Sequence, residues 1–118
     1  MYWRNTQWKT KKKTNKILAK QIKIGLNSIK DTSKVIIAYE PVWSIGTGLI
    51  PKSKDLLKSI SYIKSKFGKK TPKVLYGGSV NNKNIAQLKD INVIDGFLIG
   101  GASQNSKKFI DIIKKTFN

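Results

Sequence analysis

The chain has no cysteine and no histidine, and both absences restrict its chemistry. Without cysteine it has no disulfide framework and no thiol nucleophile. Without histidine it lacks the commonest general acid or base and the commonest metal ligand. Thiol chemistry and histidine-based metal binding are therefore excluded.

Long apolar segments are missing as well. No apolar run approaches the roughly 18 residues that span a bilayer. The basic amino terminus is not followed by the apolar stretch of a signal peptide. We therefore predict a cytoplasmic protein without a membrane segment, and the 118 residues allow at most one small domain.

Acidic residues are scarce: the chain has 6 of them and 24 lysines and arginines, which gives a net charge of +18. One interpretation is a basic module that binds nucleic acid or another anion. The other is a composition biased towards lysine, asparagine and isoleucine codons. The lysines are spread along helix-like segments, and only residues 9–13 form a dense run. This spread favours the second interpretation, and we do not expect nucleic acid as a partner.

Short apolar runs alternate with segments of helical spacing. Strands are predicted at residues 35–39, 74–76 and 97–99, and helical spacing appears at residues 14–29, 56–67, 81–91 and 109–117. Such alternation predicts an α/β fold with three parallel strands and crossover helices. The continuous run VIIAY predicts a first strand buried on both faces. The last helix should place Phe109, Ile112, Ile113 and Phe117 on one side.

The loops after the three strands begin at Glu40, Gly77 and Gly100. In parallel sheets the chemistry lies in loops at this end of the strands. Glu40 is the only glutamate, and a carboxylate there can act as a general base in an apolar, water-poor setting. It can equally cap a nearby backbone N–H, and its position alone leaves both roles open.

The segment after Glu40, residues 41–48 (PVWSIGTG), has the composition of a lid. It begins with a rigid proline, is bulky in the middle and ends in two flexible glycines. A closing lid excludes water and completes a site. An ordinary loop is the alternative, but the apolar Val42, Trp43 and Ile45 favour a lid that packs on something.

Two glycine pairs, in residues 77–79 (GGS) and 100–103 (GGAS), follow strands and precede helices. Glycine lets backbone N–H groups approach a phosphate closely, and a helix amino terminus favours an anion. A single pair usually marks only a turn. Two pairs on neighbouring strand ends, each followed by a hydroxyl residue, predict a phosphate site.

Three motifs together resemble the triosephosphate isomerase family: AYEPVWSIGTG at residues 38–48, YGGSV at 76–80 and DGFLIGGAS at 95–103. The resemblance covers residues 13–118. It implies a partial (β/α)8 barrel that includes strands 6 to 8, whereas a whole barrel takes about 250 residues.

The resemblance also implies a reaction and its residues. In the family, dihydroxyacetone phosphate and glyceraldehyde 3-phosphate interconvert without metal or cofactor. Glu40 matches the catalytic base, and Ile45 and Leu98 match the apolar pair that closes over it. Tyr76 and Ser79 match residues that hold the closed lid. The phosphate contacts correspond to Gly46, Ser79, Gly100 and Gly101, and the lid and its clamp to Pro41, Val42, Trp43, Ile45, Thr47, Gly48, Tyr76 and Leu98.

Departures from the family pattern limit what we expect of the chain alone. Ser44 replaces a usual alanine and Leu49 a common lysine, and neither touches the chemistry. The family's histidine and its substrate lysine are absent, and losing one oxyanion-stabilising donor typically costs about a hundred- to a thousandfold in rate. We predict an inactive isomerase fragment. The alternatives are half of a split isomerase that needs an N-terminal partner, and a basic module that binds an anion or nucleic acid. The expected partners are an N-terminal fragment or a second copy in a homodimer.

Residues 1–12 show neither helical nor strand periodicity. With permitted codons, the DNA for residues 1–6 read one base later encodes Cys-Ile-Gly-Glu-Thr-Leu. That peptide resembles the family at the end of its fifth strand. We hypothesise that residues 1–12 are a non-homologous, frame-shifted segment, and DNA that cannot encode the shifted peptide would contradict this.

Overall fold

The computed structural model describes residues 11–41 and 48–118, and there three parallel strands form one sheet in the order β1-β2-β3. The strands are β1 (Ile36–Tyr39), β2 (Lys73–Gly77) and β3 (Gly96–Leu98). The flanking helices are α1 (Lys11–Leu26), α2 (Ser53–Ser65), α3 (Ile85–Lys89) and α4 (Ser106–Thr116). The predicted α/β arrangement of three parallel strands with crossover helices is confirmed.

The core lies around the central strand, β2. Val74 and Tyr76 are fully buried because β2 has a neighbour on both sides and helices across its face. Strand register pairs Tyr39 with Tyr76, and Gly77 with Leu98. The carboxyl ends of all three strands therefore lie at one edge of the sheet.

The helices cover the sheet with narrow apolar stripes. In α2 the buried residues are Leu56, Ile60 and Ile63, whose spacing places them on one helical face. Helix α3 contributes Ile85 and Leu88 to the same core. None of the helices in the described part is long and apolar enough to cross a membrane.

One burial prediction is wrong. Strand β1 is not buried on both faces, because Ile36 is 65% exposed and β1 pairs within the described residues only with β2. The last helix buries Ile112 alone of the predicted stripe, while Ile113 and Phe117 are exposed. Helix α4 contacts α3 and the 3-10 helix Gly101–Gln104, and Phe117 follows its last residue, Thr116.

Candidate functional site

The ends of the three strands surround one cleft, which we name the Glu40 cleft. Its volume is 820 Å³. Six residues that the sequence motifs predicted for the site line it: Glu40, Gly48, Ser79, Leu98, Gly100 and Gly101. Three separate motifs of the sequence therefore contribute to one surface.

Glu40 lies across the end of β2 because residue 77 is a glycine. A Cβ atom at Gly77 would lie 2.8 Å from Cγ of Glu40 and 3.3 Å from Cβ of Leu98. The small residue on the central strand therefore makes room for side chains from both neighbours. The arrangement places the Glu40 side chain near Leu98, which lines the cleft and is 45% exposed.

The loop after β2 has an unusual backbone. Gly78 has φ 130° and Ser79 has φ 55°. The value at Ser79 is left-handed, a backbone conformation that residues other than glycine rarely adopt. The Ser79 hydroxyl oxygen accepts a hydrogen bond from the Gly48 N–H at 2.9 Å. This bond joins the end of the predicted lid to the predicted phosphate loop.

Tyr76 lies beneath this loop. Its side chain is fully buried, and its hydroxyl donates a hydrogen bond to the carbonyl oxygen of Gly78 at 2.9 Å. The buried hydroxyl thereby fixes the peptide that precedes Ser79. In the described part of the chain, Tyr76 supports the loop that contacts Gly48.

The loop after β3 forms a tight turn. Gly101–Gln104 is a 3-10 helix in which the Ser103 N–H donates to the carbonyl oxygen of Gly100 at 2.9 Å. The Ser103 hydroxyl donates to the same oxygen at 2.5 Å. An added Cβ at Gly100 or Gly101 would meet nothing within 4 Å, so the backbone there is open to the cleft.

Sequence reasoning missed two cations of the cleft, Lys83 and Lys108. Lys83 lies in the loop after β2, and Lys108 is in the first turn of α4, where the Asn105 side chain accepts its backbone N–H at 3.0 Å. Both follow the predicted phosphate loops within a few residues. That proximity is a usable signal, but it is weak in a chain with 24 basic residues.

Of the other residues predicted for the site, the structure places Pro41 outside the Glu40 cleft. Val42, Trp43, Ile45, Gly46 and Thr47 fall outside the described residues. Pro41 is buried and lines a second cavity, of 840 Å³, together with residues of α2. Within the described ranges, no group of three histidine, cysteine or acidic side chains could hold a metal ion.

The sequence profile of the triosephosphate isomerase family matches residues 4–116. The match thus begins inside segment 1–12. The proposed frame shift of that segment concerns the encoding DNA and stays a prediction.

Curated relatives agree with this match. Proteins named triosephosphate isomerase from Mycoplasma mobile, Yarrowia lipolytica and Saccharomyces cerevisiae are 45%, 46% and 43% identical over 102, 107 and 108 residues. Each alignment covers 86% of this chain but only 42%, 43% and 43% of the relative, so the chain spans about two fifths of their length. With the profile matching nearly the whole chain, this protein belongs to the triosephosphate isomerase family.

Proposed function

We propose that this chain supplies the base and the phosphate-binding part of a triosephosphate isomerase site, and that turnover requires residues outside these 118. One observation carries the proposal: Glu40 shares a cleft with Ser79, Gly100 and Gly101. A carboxylate and a set of open backbone amides at one strand edge suit a small phosphorylated substrate. The proposal places the chain in the cytoplasm with a triose phosphate as ligand.

In the proposed reaction, Glu40 accepts a proton from the carbon beside the substrate carbonyl and returns it to the neighbouring carbon. Gly77 leaves room for the glutamate side chain, and Leu98 offers an apolar surface beside it. The phosphate binds to the backbone at Gly100 and Gly101 and to Ser79. Residues 41–48 form the lid, with Gly46 as a further phosphate contact.

The missing part of the site is the one that stabilises the negative charge on the substrate oxygen. The 118 residues contain no histidine and do not include the segment that carries the family's substrate lysine. Preorganised donors at a developing oxyanion usually supply the largest share of the rate. The chain alone therefore binds weakly and does not turn over.

A split enzyme is the second candidate, and the exposure of β1 favours it. Ile36 is 65% exposed, and among the residues that the structure describes its strand pairs only with β2. A strand with unpaired backbone groups and apolar side chains is a template for another strand. A separate N-terminal polypeptide that paired there would bring the lysine and the histidine to the Glu40 cleft.

The test compares isomerase activity of the chain alone with that of an equimolar mixture with an N-terminal polypeptide. This polypeptide is the part of the Mycoplasma mobile relative that precedes its aligned region. We expect no turnover by the chain and measurable turnover by the mixture. In the mixture, E40Q should reduce kcat by about 10²- to 10⁴-fold, the usual contribution of a general base.

The matched control is D90N, which removes an exposed carboxylate at the carboxyl end of α3. It should leave the activity of the mixture unchanged. A mixture whose chains associate but which shows no isomerase activity would refute the split enzyme. Full activity of E40Q would refute the role of Glu40.

A further inference from the structure

We propose that Asn84 is a positioning residue that holds Ser79 in its left-handed conformation and thereby fixes the attachment of the lid to the phosphate loop. The inference rests on the proposed function of residues 41–48 as a lid. Asn84 does not line the Glu40 cleft, whereas Ser79 does. It therefore acts through Ser79 and not on the substrate.

Ser79 needs such support because its backbone conformation is unfavourable. Among the described residues it is the sole non-glycine with positive φ, at 55°. A left-handed conformation costs an L-residue about 1–2 kcal/mol and persists only where the surroundings impose it. The Asn84 side chain supplies a direct restraint, since its Nδ2 donates to the carbonyl oxygen of Ser79 at 2.8 Å.

Asn84 is itself held by a reciprocal pair with Asn81. Its Oδ1 accepts the Asn81 N–H at 2.9 Å, and its N–H donates to Oδ1 of Asn81 at 3.0 Å. The Lys83 N–H donates to the same Asn81 oxygen at 2.8 Å. The next residue, Ile85, is fully buried, which anchors the pair to the core. The amide that contacts Ser79 therefore starts from a fixed position.

The backbone conformation of Ser79 determines where its hydroxyl group lies. With the backbone of Ser79 held by Asn84, its Oγ lies where it accepts the Gly48 N–H at 2.9 Å. Tyr76 holds the preceding carbonyl, that of Gly78, from below. If Ser79 relaxed to a right-handed conformation, its side chain would leave this position. Asn84 thus couples the core to the carboxyl end of residues 41–48.

The test uses the ¹⁵N-labelled full chain and the variant N84D. Aspartate keeps the acceptor for Asn81 but lacks the Nδ2 donor for Ser79. We expect hydrogen exchange of the Gly48 amide to rise at least about tenfold, while amides of β2 keep their protection. The control Q87E makes the same amide-to-carboxylate change in α3, where the Gln87 side chain donates a hydrogen bond to the Ser53 hydroxyl at 3.3 Å, and should leave the exchange of the Gly48 amide unchanged.

Unchanged Gly48 exchange in N84D would overturn the proposal. A uniform loss of protection in N84D, β2 included, would also overturn it, because Asn84 would then be a general structural cap. If N84D does not fold, a scalar coupling across the bond from Asn84 Nδ2 to the Ser79 carbonyl in the unmodified chain decides, and its absence refutes the proposal. None of these measurements depends on isomerase activity. A failure of this proposal can therefore be distinguished from a failure of the isomerase proposal, which the activity of the mixture tests.

Discussion

Val74 and Asp95 join β2 to the start of β3 by two hydrogen bonds. The Val74 N–H donates to Oδ2 of Asp95 at 2.8 Å, and the Asp95 N–H donates to the Val74 carbonyl oxygen at 2.9 Å. Lys64, near the end of α2, places its Nζ 2.9 Å from the same carboxylate oxygen. This junction ties three elements together at the edge of the sheet opposite the Glu40 cleft.

D95A should destabilise the chain by about 1.5–3 kcal/mol, the usual range for a hydrogen bond to a charged group. The loss is large because Val74 is fully buried and its N–H then has no acceptor. D95N keeps an acceptor for Val74 and loses only the partly exposed ion pair, so it should cost about 1 kcal/mol or less. Urea denaturation of both variants measures the difference, and equal costs would contradict this account.

The same carboxylate should make stability depend on pH in the acid range. Burial raises the pKa of Asp95, but hydrogen bonds from Lys64 and Val74 outweigh it and hold the pKa below its usual value of 3.8. A lowered folded-state pKa gives stability that is present above 3.8 and is lost as the pH falls through the folded value.

This acid dependence is measured as the stability difference between the unmodified chain and D95N at several pH values. The difference should be constant near neutral pH and shrink below about pH 4, where Asp95 of the unfolded chain begins to take up its proton. A difference that stays constant down to the acid limit of folding would show that Asp95 has no lowered pKa.

G77A should disturb the site far more than the fold. Gly77 does not have a positive φ, so alanine fits its backbone, but the new Cβ would lie 2.8 Å from Cγ of Glu40. Glu40 is exposed and can turn away, whereas Cβ of Leu98, 3.3 Å from the new Cβ, must shift slightly, so we expect a loss of stability of about 1 kcal/mol. In the mixture with the N-terminal polypeptide, kcat should fall at least about tenfold, because a general base must lie within hydrogen-bond reach of its proton.

The order of elements could be predicted from the sequence because it depends on local periodicity. The observed ends of β1 at Tyr39 and of β2 at Gly77 lie within one residue of the strand ends predicted from the sequence. The exposure of Ile36 could not be predicted, because it depends on what packs beside β1 and not on the sequence of β1 itself. The same holds for Ile113 and Phe117, whose exposure depends on how much of α4 the neighbouring elements cover.

The candidate site was predictable where glycines and a lone glutamate mark strand ends. The contributions of Lys83 and Lys108 were hidden among many other lysines, because composition carries no information about which face a lysine occupies. The link from Asn84 to Ser79 was also hidden, because it depends on a side-chain amide that meets a left-handed backbone five residues away.

Two exposed glycines should respond in opposite directions to the same change. Gly25 lies in α1 and has space for a Cβ, so G25A should stabilise the chain by about 0.5–1 kcal/mol. Gly68 also has space for a Cβ, but its φ of 57° is left-handed, so G68A should destabilise the chain by about 1–2 kcal/mol. Thermal unfolding of both variants measures the contrast, and a matching sign would refute the backbone argument.

Anion binding distinguishes a built phosphate site from the effect of net charge alone. Lys83 and Lys108 line the Glu40 cleft, whereas Lys20 and Lys54 are exposed on α1 and α2 and are absent from its lining. Titration with inorganic phosphate, followed at the amides of Gly100 and Gly101, should be weakened about two- to tenfold by K83A or K108A, because removing one nearby cation removes about 1 kcal/mol of attraction in water. K20A and K54A should have no effect.

A basic nucleic-acid module predicts a different result. All four lysine variants would then weaken binding to duplex DNA alike, and each lysine that contacts a phosphate would change the salt slope by about 0.9. Phosphate binding that is insensitive to K83A and K108A, together with DNA binding that falls in every variant, would favour that module. Because net charge is the same in all four variants, a difference between them can arise only from where each lysine lies.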